Sequence, residues 1–419
     1  MLEINLRRMM KDFENIISYT STPGNGCTRF SYSREDRQAR KYLSARMEEL
    51  GLDVKVDAIG NIRAAYRKDL NKPSIMIGSH HDTVKNGGKY DGLTGVLAAL
   101  EIIRVLKEEE AELSRPIELV SFAEEEGSNF GITMVGSKVF AGKYELEELK
   151  AIKNPEGKSV YEAAKDFGLE IDHMERDILQ KGEIDAMIEL HIEQGQVLES
   201  QQKSIGIVQA IAGMKTFKVT IDGDSNHAGT TPMNVRSDPM AGAVEIISHI
   251  QKTAKHEALE TTVATVGKIE CKPNIPNVIP QIVEFYVDIR DVEAEGVEIV
   301  SRKLAQKVKE VSDEHSLKST IELVGESDTV KLSSRIIGQI EETAKEQGFD
   351  YLKLNSGAVH DTAMLSGLTD IGMLFIPSKG GKSHCPEEYT SIKDIKAGCD
   401  LLLNVVRKLA CKETEKQKI

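Results

Sequence analysis

The chain is poor in the features that would place it outside the cytoplasm, in a membrane or on nucleic acid. Its five cysteines (Cys27, Cys271, Cys385, Cys399 and Cys411) are odd in number and scattered, with no CxxC pair. That excludes a disulfide framework and points to a reducing, cytoplasmic setting. There is no basic patch and no Lys/Arg-rich arm, and the net charge is −13. Nucleic acid and anionic membrane surfaces are therefore not expected partners. No run approaches the roughly 20 apolar residues of a membrane span. The opening MLEINLRRMMKDFENI is amphipathic and lacks the apolar core of a signal peptide. No repeat of 20–50 residues is visible. What remains is ordinary globular composition, 40% hydrophobic and 29% charged. At about 150 residues per domain, a chain of this length makes two or three.

Apolar spacing predicts helices over 6–20 and 35–50, then short strands at 53–57, 61–66, 74–79 and 116–122. Helical patterns at 94–109 and 133–140 alternate with these strands, which predicts an α/β domain with a largely parallel sheet. The style changes near residue 212. From there the order is strand 215–221, helix 239–253, strands 262–270 and 283–290, helix 293–312 and strand 319–323. This β-α-β-β-α-β order is the ferredoxin-like signature of a smaller α+β domain. After 327 the α/β style returns, with a helix at 332–347, a strand at 371–376 and a helix at 391–410.

Polar groups collect where the apolar runs end. His80, His81 and Asp82 close one run, and Asp91 follows before the helix at 94. Glu124, Glu125 and Glu126 close another. His191 stands in ELHIEQG, and His384 in KSHCPEE after the run 371–377. Open α/β sheets build their sites at such strand ends. Imidazole nitrogen with carboxylate oxygen suits Zn²⁺, Mn²⁺ or Co²⁺. Three histidines and two carboxylates can hold two ions if one carboxylate bridges, and two ions can make a water acidic near neutral pH. A carboxylate beside a ligand carboxylate then serves as general base, and Glu125 beside Glu126 fits. Asp82 fits a role orienting His80 through its other ring nitrogen. The smaller domain offers His227 in SNHAGTTPM, which could donate to an oxyanion, and Asn277, which could donate to the same oxygen. Arg290 offers a planar fork for a carboxylate. Plainer readings stand beside these. Arg290 could pair with Asp288, and NVIP around Asn277 could be only a turn. His173, His249, His256 and His315 read as structural or solvated.

Taken in order, GSHHDTV, GGKYDG, EEEG, ELHIEQG, SNHAGTTPM, NVIP, SGAVHD and KSHCPEE resemble the motifs of the hydantoinase/carbamoylase amidohydrolases. These are dinuclear-metal relatives of the M20 metallopeptidases. The resemblance runs from about Gly26 to Leu403. It implies a zinc-exopeptidase-like α/β catalytic domain over 1–212 and 328–419, with an inserted ferredoxin-like lid and dimerisation domain over 213–327. It implies two divalent metal ions per subunit, zinc, manganese or cobalt, on His80, Asp91, Glu126, His191 and His384, with Asp91 bridging. Glu125 would be the general base. Gln194, His227, Asn277 and Arg290 would bind substrate, with Arg290 on its carboxylate. A homodimer would form through the inserted domain, with His227 serving the neighbouring subunit's site. The implied reaction is hydrolysis of a ureido C–N bond in a small carboxylate substrate. N-carbamoyl-L-amino acids come first, allantoate second, and peptide or acylamino acid substrates are more distant. The chain departs from the pattern at His81, where relatives often carry an apolar residue, and at Gln281, Val359, Lys382 and Cys385. His360, in SGAVHD, has no role assigned on physical grounds.

Overall fold

The runs 74–79 and 116–122 lack the polar alternation of a half-exposed strand, so they must be covered on both faces. In the computed structural model, which describes residues 2–412, strands Ser74–His80 and Ile117–Phe122 are buried along their whole length. The chain forms two compact units. The first runs to Gln209 and resumes over Leu332–Leu354 and from His360 onward. The second comprises Ala210–Lys331 with Asn355–Val359.

In the first unit, seven strands lie side by side, and an eighth, Tyr351–Ser356, pairs with the last of them. The order of the seven is Asp53–Val56, Ile62–Tyr66, Ile117–Phe122, Ser74–His80, Ile184–Ile192, Asp370–Ile376 and Ile205–Ile211. The inner four are parallel. The flanking pairings are antiparallel, so the sheet is mixed. The first hairpin closes on Asp57, whose Oδ1 accepts from the amides of Ile59, Gly60 and Asn61. Such a side-chain turn lets the strand double back without a crossover helix. Helix Leu93–Glu108 is buried over most of its surface, and Val96, Leu100 and Ile103 share one core with Leu401 and Val405 of helix Ile392–Ala410. Because the four parallel strands are neighbours, their C-terminal ends line up: His80 pairs with Phe122, and Phe375 with His191.

The second unit is built as its sequence pattern predicts. Strands Lys318–Ser327, Gly213–Asp222, Ile282–Asp291 and Val263–Lys272 form an antiparallel sheet in that order. Alternate residues of Ile282–Asp291 are buried. Val283, Phe285, Val287 and Ile289 pack with Ile246 and Ile250 of helix Pro239–His256 and with Val300 and Leu304 of helix Ala294–Glu314. A short antiparallel pair, Asn226–His227 with Val278–Ile279, stands apart from this sheet.

Candidate metal centre

The parallel strands deliver their polar ends to one place. His80 is the last residue of its strand, and His191 the last but one of the next. Asp91 follows one strand before its helix, Glu125 and Glu126 follow another, and His384 lies in the segment after Asp370–Ile376. His80 Nε2 lies 3.5 Å and His191 Nε2 3.0 Å from Asp91 Oδ1. His384 Nε2 lies 3.2 Å from Asp91 Oδ2 and 3.3 Å from Glu126 Oε2. Two sets of mutually close ligand atoms result, His80–Asp91–His191 and Asp91–Glu126–His384, and they share Asp91. Each set takes a different oxygen of that carboxylate.

The tautomers show what such a place needs. His80 Nδ1 faces the Asp82 main-chain carbonyl at 3.2 Å, and His191 Nδ1 faces the Ile192 carbonyl at 2.9 Å. A carbonyl only accepts, so both Nδ1 atoms carry protons, and Nε2 is the ring atom that faces Asp91. The Gly92 amide also donates to His191 Nε2, at 3.3 Å. Two imidazole nitrogens and a carboxylate oxygen converge here, an arrangement that suits a bound cation. The protonation balance says the same. Burial disfavours charged His80 and His191, yet the carboxylates of Glu125 and Asp91 beside the first and of Asp91 beside the second push both upward. Burial, together with Asp91, holds Glu126 up at about 8. A divalent cation meets this demand, and the His/carboxylate donor set fits zinc, manganese or cobalt.

Glu125 belongs to neither set. It is buried, with Oε2 3.6 Å from His80 Nε2. Burial, reinforced by Asp361, Glu126 and Asp82 and opposed by His80, pushes its carboxyl well above the usual range. Asp82 meets the other ring nitrogen of His80, and it does so through its main chain. Its main-chain carbonyl is the group within reach of His80 Nδ1, whereas its carboxylate oxygen is 3.7 Å away. That carboxylate instead accepts from the amides of Glu125 at 3.3 Å and Glu126 at 3.2 Å. Asp82 thus fixes the glutamate turn. The turn is strained: Glu124 has φ +50, held by its backbone N–H donating to Ser31 Oγ and by its Oε1 accepting from the amides of Asn129 and Phe130. Gln194 and His384 also sit at positive φ, +56 and +57, a cost that persists only where the surroundings impose it.

Gln194 Nε2 donates to Asp91 Oδ2 at 2.7 Å. His81 points away from the centre. Its Nδ1 meets Ser121 Oγ at 2.6 Å and its Nε2 meets Asp36 at 2.7 Å, so it ties helix Arg34–Glu49 to a core strand. His360 is buried with its ring centroid 4.6 Å from that of His191. Burial and the neighbouring imidazole push it well below the usual histidine range, which keeps it neutral.

Sequence reasoning missed Ser383, Glu388 and the use of Gly88. Glu388 is buried and accepts from the amides of Tyr90 and Asp91, 2.8 and 3.1 Å away. A Cβ on Gly88 would lie 1.9 Å from its carboxylate carbon. Gly88→Ala should therefore displace Glu388 and weaken metal retention while leaving the second unit folded. Metal content after desalting checks this, and unchanged retention would contradict the packing argument.

In the second unit, His227 Nδ1 accepts from the amides of Gly229 at 3.1 Å and Thr230 at 3.2 Å. The proton of the neutral ring must then sit on Nε2, which leaves an exposed N–H donor. Asn277 is exposed beside it, its carbonyl accepting from Ala228. Arg290 donates from Nε and Nη2 to Asp288 and from Nη1 to the Gly357 carbonyl. The plainer pairing with Asp288 is thus present. Three donations leave two of the five guanidinium N–H groups for a ligand.

The profile of peptidase family M20/M25/M40 matches residues 76–408. The chain is 39% identical over 391 residues to an N-carbamoyl-L-amino acid amidohydrolase of Geobacillus stearothermophilus, covering 93% of this chain and 94% of the relative. It is 34% identical to an allantoate amidohydrolase of Bacillus subtilis, covering 97% of this chain and 99% of the relative. A crystal structure of a hydantoinase/carbamoylase family amidase from Burkholderia multivorans superposes with a TM-score of 0.88 at 30% identity, covering 98% and 99% of the two chains.

Proposed function

Because the chain belongs to the M20/M25/M40 peptidase family, we propose that it is a metal-dependent amidohydrolase that cleaves ureido C–N bonds, with N-carbamoyl-L-amino acids as its substrates. The observation that carries this reading is the division of Asp91 between two ligand sets. The Geobacillus relative and the hydantoinase/carbamoylase structure support the ureido chemistry. The Bacillus relative supports allantoate as the second reading.

Two divalent cations held by His80, Asp91, His191, Glu126 and His384 would polarise a substrate carbonyl and acidify a water. The remaining roles fall to side chains. Glu125 takes the proton from the attacking water and returns it to the departing nitrogen. His227, serving the neighbouring subunit's site, donates its Nε2–H to the oxygen that gains negative charge, with the Asn277 side chain beside it. Arg290 receives the substrate carboxylate, and Gln194, which donates to Asp91 Oδ2, also contacts the substrate. Water and R–NH–CO–NH₂ yield R–NH₂, carbon dioxide and ammonia. We read the second unit as the lid and homodimer surface. The five free cysteines support a cytoplasmic setting. Among the described residues no helix is long and apolar enough to cross a membrane.

Ammonia release tests the reading. The protein loaded with Mn²⁺, Co²⁺ or Zn²⁺ should release ammonia from N-carbamoyl-L-amino acids. Release from allantoate alone would select the second reading. Cleavage only of dipeptides or N-acetyl amino acids would remove the ureido assignment and leave the metal centre. Arg290→Ala should raise KM for carboxylate substrates by about 10- to 100-fold, the size of a charge-assisted pair. An unchanged KM would move the carboxylate site elsewhere.

A further inference from the structure

Asp91 Oδ2 has a neighbour that the catalytic reading leaves unused. Ser383 Oγ lies 2.8 Å from Asp91 Oδ2 and 2.8 Å from Glu388 Oε2. A hydroxyl has one proton, so it can donate to only one of these oxygens at a time. Glu388 is fixed. Its Oε1 accepts from the Tyr90 and Asp91 amides, it is 4% exposed, and it fills the space that Gly88 leaves open. Gln194 Nε2 already donates to Asp91 Oδ2. A carboxylate oxygen offers about two acceptor sites. With Gln194 and Ser383 both donating, none is left. With Ser383 turned to Glu388, one is free.

Resting on the two-position reading above, we propose that Glu388 is a positioning residue: it holds the Ser383 hydroxyl proton off Asp91, so that Oδ2 keeps a lone pair for the cation shared with Glu126 and His384. The chemistry sets a specific trap. In Glu388→Gln the amide oxygen must stay on the Tyr90 and Asp91 amides, because an NH₂ there would face two donors. The new NH₂ then faces Ser383 and donates to its oxygen. Ser383 can then give its proton only to Asp91, which closes the acceptor site. Ser383→Ala in the same chain reopens it.

The test is calorimetric titration of the chelator-stripped full-length protein with Mn²⁺, with His384→Ala identifying which equivalent belongs to the His384 position. Wild type takes two equivalents. Glu388→Gln weakens the His384-dependent one by about tenfold, the size of one hydrogen bond to a charged group, and leaves the other unchanged. Glu388→Gln/Ser383→Ala recovers wild-type affinity. A simple structural defect cannot be repaired by deleting a second group, so recovery separates positioning from loss of fold. The proposal is overturned if both equivalents weaken alike, if the double variant does not recover, or if Glu388→Gln binds as wild type. A wild type that takes only one equivalent removes the two-position reading, and this proposal with it. A two-equivalent wild type with an unchanged Glu388→Gln removes this proposal alone.

Discussion

Asp91→Ala is expected to lose both metal equivalents at once. Its two oxygens serve different ligand sets, Oδ1 toward His80 and His191 and Oδ2 toward His384 and Glu126. Removing the side chain leaves two protein donors at each position. The loss should exceed the roughly 10- to 100-fold typical of removing an outer hydrogen-bond partner. His384→Ala is the control, since it touches one set only and should leave one ion per chain. Metal analysis after desalting separates the cases. One ion retained by Asp91→Ala at wild-type affinity would mean that Asp91 does not join two positions. Loss of both ions from His384→Ala would mean that the positions are not independent in the way the geometry implies.

Glu125→Gln is expected to keep both ions and lose turnover. The side chain is outside both ligand sets, and its main-chain bond to Asp82 does not depend on the carboxylate. Gln matches its shape and cannot accept a proton. If Glu125 is the base, kcat falls by roughly a hundred- to ten-thousandfold, with KM little changed. The environment has the right sign for the role. Burial raises the Glu125 carboxyl well above the ordinary range, which makes its carboxylate a stronger base. Cations at the neighbouring ligands would act in the opposite sense and favour its ionised form. Normal turnover in the metal-loaded variant would assign the proton transfer to another group.

Much of the candidate cluster was legible because His80, Glu126, His191 and His384 stand at or after the ends of apolar runs, and in parallel sheets strand ends gather. That rule and the donor chemistry drew attention to the cluster, while the choice of His80, Asp91, Glu126, His191 and His384 as the ligand set came from the resemblance of the motifs. The ferredoxin-like order of the second unit was legible from alternation, most clearly over Ile282–Asp291. Strand Tyr351–Ser356 was not, since its residues follow no clean inside–outside pattern. The sequence also gave no sign that Asn355–Val359 joins the second unit. Asp82 shows a different limit. A sequence names a residue, but it does not say whether the carbonyl or the carboxylate will face His80. His81 shows another, for a second histidine beside a ligand looks like a ligand until its partners, Ser121 and Asp36, are seen. Glu388 stayed hidden because its hydrogen bonds reach Tyr90 and Asp91 across nearly three hundred residues. Gly88 stayed hidden for the same reason, since only Glu388 explains the missing side chain.

The measurement that tests the central claim most directly is anomalous diffraction from crystals of the manganese- or zinc-loaded protein, collected at the metal edge. The account predicts two peaks per chain, one among His80, Asp91 and His191 and the other among Asp91, Glu126 and His384, with one Asp91 oxygen on each. A single peak, or a second peak away from Glu126 and His384, would contradict it.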